Sequence, residues 1–447
     1  MTQSTHNQQN IERMLQTIGA RSADELFAPL GSQRMAEAKF DLPPAADQIN
    51  LAREIRELAG RNRPAGGRIS FLGAGSYDHY TPPAVDALAG QSAFVTAYTP
   101  YQAEASQGSL QAFFEYQSLV CDLTGMDVAN SSLYEGGSAL AEALLMAMDI
   151  TGKDKVILPA NVHPEYRQVV ATYLQHRPND LLALEAPDGR VNPTKLEEAI
   201  NGETAAVVIQ QPNFFGCVGP LSQIAETVRK HPKTLLIVVA DPISLGLLTR
   251  PGQLGVDIVV GEGQSLGMPM GLGGPYLGFL ACRQEYLRRI PGRLVGQTVD
   301  ADGRRAFCLT LQTREQHIRR ERAASNVCTN EGLLAIRAAV YLSIMGKQGI
   351  RQVADLCFQK AQYLHRRIAE LDAFETPFGQ PVFKEFVVRC RKAGVEKVLA
   401  AAKEHDILAG VPLGRWYPNL TDCLLVAVTE KRTRDEMNRF VEVLSTL

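Results

Sequence analysis

Between Thr234 and Gly346 the chain contains no lysine, although arginine is plentiful in the same stretch. Lysine chemistry from that region is therefore excluded. Long apolar runs are missing too: stretches such as Leu235–Ala240 (LLIVVA) fall far below the roughly 20 residues of a membrane helix. The opening MTQSTHNQQN has neither the basic nor the apolar region of a signal peptide. These absences predict a cytoplasmic protein with no membrane partner. Charge of one sign is not in excess, since 46 Lys and Arg are interspersed with 48 Asp and Glu for a formal charge of −2. That balance leaves no electrostatic footprint for nucleic acid. The eight cysteines never reach C-x-x-C spacing and sit in apolar surroundings such as FLACR and DCLLVAV. They read as buried free thiols, and no metal site is expected. Internal repeats and low-complexity linkers are also lacking.

At 447 residues and 45% apolar, the chain can bury a large core and divide into two or three domains. The first segment carries IERMLQTIGA and SADELFAPL, each with an apolar stripe at helical spacing, and Ser22 is placed to cap the second helix. A helical N-terminal arm over 1–65 is predicted. From about Phe71 short apolar runs (KVILPA, AAVVIQ, LLIVVA, DIVV, YLGFLAC) alternate with helical patterns such as SALAEALLMAMDI and SQIAETVRKH. Runs of strand length that are apolar throughout suit strands covered on both faces of a mostly parallel sheet. The reading is a large α/β domain over 66–330. A long helix, NEGLLAIRAAVYLSIMGKQG, then leads into a smaller α+β domain over 331–447, with VFKEFVVRC and CLLVAVTE as strands.

Ligands of open α/β sheets sit beyond the carboxyl ends of strands. Asp241 ends LLIVVAD, His163 follows KVILPANVH, and Gly136-Gly137-Ser138 opens a helix whose free N–H groups suit a phosphate. Singly, each has a plainer explanation as a turn, loop or capping residue. Together and in this order they resemble the pyridoxal-phosphate enzymes of the aspartate aminotransferase fold (type I). There a Gly/Ser turn holds the phosphate, an aromatic ring stacks on the cofactor, and an Asp keeps the pyridine nitrogen protonated. That chemistry also requires a lysine roughly 20–35 residues after the Asp, to hold the aldehyde as a Schiff base. The expected position falls within GEGQSLGMP, inside the lysine-free stretch.

Four long motifs carry a closer resemblance: FLGAGSYDHYTPPAV, TAYTPYQAEASQGSLQAFFEYQSLVCDLTGMDVANSSLYEGGSALAEA, GEGQSLGMPMGLGGPYLGF and LTLQTREQHIRRERAASNVCTNEGLLA. They are similar to the P-protein of the glycine cleavage system, glycine decarboxylase, and specifically to the N-terminal, alpha subunit of its split bacterial form. In the beta subunit of that family the matching loop has a His-Lys pair before a proline and a run of glycines. Alignment on Pro269–Pro275 puts Gly263-Gln264 at that pair, so Gln264 replaces the Schiff-base lysine. The resemblance implies decarboxylation of glycine, with the aminomethyl group passing to the lipoyl arm of the H-protein. It implies pyridoxal phosphate held covalently by a partner beta subunit rather than by this chain, and an active site at the interface of alpha-beta pairs, with two-fold assembly into a heterotetramer expected.

Residues expected to reach a shared site lie in AYTPYQAEASQG: Tyr98, Thr99, Tyr101, Gln102, Glu104, Ser106 and Gln107. A dense polar set on a loop suits a phosphate or carboxylate across a subunit boundary; the alternative is that these groups pin the loop to its own domain. Ser76, Tyr77 and His79, on a glycine-rich turn, form a second set. Arg314, His317, Arg319 and Arg320 suit a carboxylate or the acidic surface of a carrier protein, or else a solvated, salt-bridged helix. His163, Asp241 and Gly136-Gly137-Ser138 are then the remnant of a cofactor pocket. Two other readings stay open: a homodimer working alone with Lys153, Lys155 or Lys233 recruited for the Schiff base, and a non-catalytic scaffold subunit.

Overall fold

The structure is a computed structural model that describes residues 6–31, 41–95, 98–271, 273–323, 325–379 and 381–447. The chain forms two compact units, one ending at Arg63 and one spanning Pro64–Leu447. The first contains the helix Gln8–Ile18, capped by the Asn7 side chain and closed by Gly19 in the left-handed region, and the helix Gln48–Gly60, capped by Asp47. Between them Asp24–Leu30 is a 3-10 turn, where the apolar stripe predicts an α-helix. Pro29 lies inside it and supplies no N–H to an α-helical ladder. The Ser22 hydroxyl does accept from the Glu25 N–H (3.3 Å).

Among the described residues the second unit carries fifteen strands: β1 Ile69–Ser70, β2 Val128–Ala129, β3 Lys155–Ile157, β4 Asp180–Leu182, β5 Thr204–Gln211, β6 Leu235–Ala240, β7 Ile258–Glu262, β8 Gly278–Cys282, β9 Leu294–Val299, β10 Arg305–Thr310, β11 Phe374–Glu375, β12 Glu385–Cys390, β13 Ile407–Leu408, β14 Val411–Pro412 and β15 Cys423–Ala427. A seven-stranded sheet has the order β2-β8-β7-β6-β5-β3-β4. Only β8 runs against its neighbours β7 and β2; the strands from β7 to β4 pair in parallel. Because β8 opposes both, β2 and β7 point the same way. The ends of β2, β3, β6 and β7 therefore open onto one edge, and the residues after them share it.

The all-apolar strands are explained by what covers them. Along β6, Leu236, Val238 and Ala240 enter one core with Leu110, Phe113 and Tyr116 of the helix Gln107–Thr124 and Ile336 and Tyr341 of the helix Gly332–Ala369. Leu235, Ile237 and Val239 enter another with Leu140, Ala143 and Leu144 of the helix Gly136–Thr151. Period-two alternation thus serves two apolar layers rather than one. The helix Gly332–Ala369 is long and apolar enough by length and composition to cross a membrane. Here it is a core helix, longer than its motif suggests and broken at Gly346 (φ 58°, ψ −177°).

The C-terminal part forms a four-stranded sheet, β11-β12-β15-β14, all antiparallel. It is backed by the helices Val395–Glu404 and Arg434–Ser445, the latter started by a capping box of Thr433 and Glu436. β1 pairs in parallel with β13, so the segment after β1 leaves from this part of the fold and carries residues 74–79 to the open edge of the large sheet. None of the eight cysteines is in a disulfide; five are buried, while Cys121 and Cys308 are partly buried and Cys328 is exposed.

Glu142, on the helix Gly136–Thr151, is 2% exposed and its Oε2 has no hydrogen-bond partner among the described residues. Burial pushes its carboxyl up to about 7, against the pull of the Ser325 hydroxyl. A folded-state value above the unfolded one means that the protonated form stabilises the fold. This contribution is complete below the ordinary carboxylate value and is lost as pH climbs to about 7. For this one group the loss is about 2–3 kcal/mol. Urea titrations across that window should show wild type losing this much more stability than Glu142→Gln, which stays neutral throughout.

Candidate functional site

Asp241 follows β6, Gln264 follows β7, His163 follows β3, and Gly136 opens its helix after β2. The structure gathers them at one edge of the sheet, where residues 74–79 join them. Gln264 is 1% exposed and fully engaged. Its Oε1 accepts from the Tyr77 N–H (2.9 Å), and its Nε2 donates to the Tyr77 carbonyl (3.1 Å) and the Met268 carbonyl (3.0 Å). An amide suits this position because one side chain must both accept and donate, which an ammonium cannot do. Ser76 is tied into the glycine loop, its hydroxyl 2.7 Å from that of Tyr276.

The helix start that reads as a phosphate cup is closed from within. Glu135, at the N-cap, accepts from the N–H groups of Gly137 and Ser138 and from the Ser138 hydroxyl. Glu262 accepts from the Gly136 N–H (3.0 Å) through one oxygen, and from the Gln264 (2.9 Å) and Leu277 (3.0 Å) N–H groups through the other. Burial pushes the Glu262 carboxyl up to about 8, although these N–H donors pull it down. Gly136 is required where it stands, since a Cβ there would lie 2.4 Å from the Tyr166 hydroxyl oxygen.

Asp241 is likewise occupied. Its Oδ1 accepts from the Ile243 N–H (2.9 Å), and its Oδ2 lies 2.6 Å from Lys384 Nζ, whose side chain is 3% exposed. The same ammonium sits 3.5 Å from the centre of the Tyr77 ring and donates to His79 Nε2 (3.2 Å). That leaves the His79 proton on Nδ1, which donates to Glu430 (2.7 Å). The Tyr77 hydroxyl donates to Glu385 (2.7 Å), which also accepts from the Ala74 N–H (2.7 Å). Burial pushes the Glu385 carboxyl up to about 7, against those two donors. His163 caps the helix Pro164–Leu174, accepting from the Glu165 N–H, while its Nε2 donates to the Ala74 carbonyl (2.9 Å). Its ring stacks on Tyr166 at 4.4 Å and meets Phe214 edge-on, and burial lowers its pKa.

A second cluster is organised by Arg293, a buried residue (6% exposed). Its guanidinium donates to the Tyr101 hydroxyl (2.9 Å), the Cys328 carbonyl (2.7 Å) and Asn330 (3.2 Å), and lies 3.9 Å from Glu315. The Tyr101 ring meets His317 edge-on at 6.4 Å, so the tyrosine loop and the basic segment are neighbours. Within that loop Gln107 is pinned: it donates to the Ala103 and Phe307 carbonyls and accepts from the Phe307 N–H. Ser106 holds the N-cap position of the helix Gln107–Thr124 without a side-chain bond, and the Thr99 hydroxyl is buried without a partner among the described residues. Tyr98 (85% exposed), Gln102 and Glu104 face solvent. Arg314 turns inward to the carbonyls of Ile290, Gly292 and Leu311, whereas His317, Arg319 and Arg320 are exposed.

Lys384, Glu385, Glu430, Glu135, Glu262 and Arg293 are the members of these clusters that sequence reasoning misses. A faint signal exists for two of them. Lys384-Glu385 interrupts the apolar strand pattern VFKEFVVRC with adjacent charges, which must point to opposite faces.

As this chain holds them, these residues do not suit pyridoxal phosphate. No amine stands at position 264, the N–H groups of the cup are already spent on Glu135 and Glu262 and so are not free for a phosphate, and Asp241 already faces an ammonium. The lysines at 153, 155 and 233 lie at the amino ends of β3 and β6, the opposite edge of the sheet; Lys153 and Lys155 donate to backbone carbonyls there.

The architecture is the type I fold of pyridoxal-phosphate enzymes. A sphingosine-1-phosphate lyase of Burkholderia pseudomallei superposes with a TM-score of 0.67 at 15% identity, covering 93% of this chain and 94% of that one. A mutant C-DES carrying glycine covalently linked to its pyridoxal-phosphate cofactor gives 0.63 at 16% identity, covering 90% and 99%. The chain belongs to the glycine cleavage system P-protein family, whose model matches residues 2–444. It is 48% identical over 433 residues to a probable glycine dehydrogenase (decarboxylating) subunit 1 of Desulforamulus reducens, covering 97% of this chain and 96% of that protein. To the protein of the same description from Carboxydothermus hydrogenoformans it is 46% identical, covering 99% of each. An inhibitor-bound crystal structure of glycine decarboxylase (P-protein) superposes with a TM-score of 0.92 at 41% identity over the full length of both chains.

Proposed function

We propose that the chain is the alpha subunit of a two-subunit, cytoplasmic glycine decarboxylase, and that it completes an active site whose lysine and pyridoxal phosphate belong to a beta subunit. The observation that carries this reading is the set of internal partners at the old cofactor edge: Gln264 on the Tyr77 backbone, Glu135 and Glu262 on the cup, Lys384 on Asp241. A pocket built to be filled by its own side chains keeps its shape and leaves catalysis to the partner. Glycine is the substrate, and the lipoyl arm of the H-protein takes up the aminomethyl group. Residues 66–330 and 331–447 act as the large and small domains, with 1–65 as the arm.

In this proposal Tyr98, Gln102 and Glu104, exposed on the loop that Gln107 and Arg293 brace, reach toward the partner's substrate. Tyr101 is held by Arg293 and positions that loop. His317, Arg319 and Arg320 face the partner or the carrier protein, while Arg314 serves the fold. Ser76, Tyr77, His79, His163 and Asp241 support the loop edge rather than chemistry. Orientation of the substrate and exclusion of water are what such a subunit contributes.

Carbon dioxide release from carboxyl-labelled glycine tests this. Neither subunit alone should turn over, and the reconstituted complex should. Tyr98→Ala and Glu104→Ala should each lower kcat/KM by about tenfold or more, as removal of a positioning contact does, with assembly intact by size-exclusion chromatography. Unchanged turnover in both variants would favour a scaffold subunit.

A further inference from the structure

A cavity of about 620 Å³ lies away from both clusters, between the helix Gln107–Thr124, the turn that follows Asp241 and the helix Gly332–Ala369 at its break. Leu119, Leu123, Leu245, Leu342 and Ile350 line it together with Leu247, giving an apolar floor. Its wall is firm: a Cβ on Gly246 would lie 2.8 Å from the Ile350 carbonyl oxygen, so the turn and the helix are in direct backbone contact. At Gly346 the chain leaves helical geometry with a positive φ, and a Cβ there would meet nothing within 4 Å. The break therefore opens space instead of being packed over.

Arg250, Lys347 and Arg351 surround this floor, and Asp122 is the carboxylate on the lining. The side chains of Arg250, Lys347 and Arg351 make no hydrogen bond or ion pair with another described residue. Arg250 is half-buried beside the floor, while Lys347 and Arg351 stand exposed at its rim with their donors open to solvent or to a ligand. Basic groups that converge on an apolar hollow of ligand size, with their donors unspent, match the anatomy of a small-molecule site: apolar walls for bulk and a few polar groups for orientation. Two guanidiniums supply the fork geometry that pairs with carboxylate or phosphate oxygens.

We propose that this cavity binds a small amphipathic anion, an apolar body bearing one carboxylate or one phosphate, with the body against the leucines and the anionic head among Arg250, Lys347 and Arg351. The site is independent of the glycine reaction and shares no lining residue with either cluster described above.

Titration calorimetry of the alpha-beta complex with octanoate, octyl phosphate and 1-octanol tests it. Octanoate, octyl phosphate or both should bind saturably to the alpha subunit, with 1-octanol at least about tenfold weaker, since it fills the floor without engaging the cations. Binding of only one anion identifies the head group as carboxylate or phosphate. The double variant Arg250→Glu, Arg351→Glu changes side chains that are not packed in the core; it should weaken the anions about tenfold or more while leaving glycine turnover unchanged. No binding of either anion, or binding that the double variant leaves intact, overturns the proposal.

Discussion

Lys384→Met lowers the stability of the chain by about 3 kcal/mol, the cost of leaving one partner of a buried ion pair uncompensated. Asp241 and Lys384 lie 2.6 Å apart with their side chains 15% and 3% exposed, so water does little to rescue the stranded carboxylate. Asp241 keeps its bonds from the Ile243 and Ser244 N–H groups, which holds the loss near the lower end of the usual range. The variant also removes the cation from the face of Tyr77, where a desolvated contact contributes about 1–2 kcal/mol. Urea denaturation should therefore show a clear fall in midpoint. Adding Asp241→Asn to Lys384→Met should recover most of it, because both charges are then gone. A double mutant no more stable than the single one would show that the ion pair is not what Lys384 contributes.

Gln264→Lys, which restores the residue type the fold's chemistry demands, does not restore the cofactor site. The ammonium can donate to the Tyr77 and Met268 carbonyls, but nothing then accepts from the Tyr77 N–H, which becomes a buried unsatisfied donor. That costs about 1–3 kcal/mol. The cup N–H groups remain bound to Glu135 and Glu262, and Asp241 remains bound to Lys384. Incubation with pyridoxal phosphate followed by borohydride should leave no adduct on residue 264. Stoichiometric labelling there would mean that the internal carboxylates give way readily and that the missing lysine alone separates this chain from a cofactor-holding one.

The legible parts of the molecule were those set by local pattern. β5, β6 and β7 could be read because each is apolar on alternate positions for two different cores, and the loop at 261–279 could be singled out because a chemical requirement fell on it unmet. The hairpin β9–β10 could not: its strands are half exposed and polar, and what fixes them is Gln107, which reaches Phe307 from far along the chain. Lys384 leaves only a faint trace, as a charge interrupting an apolar strand pattern, and its role is hidden for the same reason. Nothing in VFKEFVVRC indicates that its ammonium ends on the Asp241 carboxylate, because the partner comes from another sheet. Likewise Gln107 reads as a candidate for the shared site, with pinning of its own loop as the alternative, and Arg314 as a partner contact; only tertiary packing shows both spent on backbone groups of this chain. Glu135 and Glu262 escaped notice because the glycines beside them carry the familiar phosphate signature, whereas the occupant of that cup is decided by the carboxylates next to it.

One measurement tests the division of labour most directly. The alpha-beta complex, purified with its cofactor, is reduced with borohydride and digested, and the modified lysine is located by mass spectrometry. The account predicts a single pyridoxyl-lysine on the beta subunit and none on this chain. A pyridoxyl group on Lys384, the lysine that stands beside Asp241, or on Lys153, Lys155 or Lys233, would contradict it.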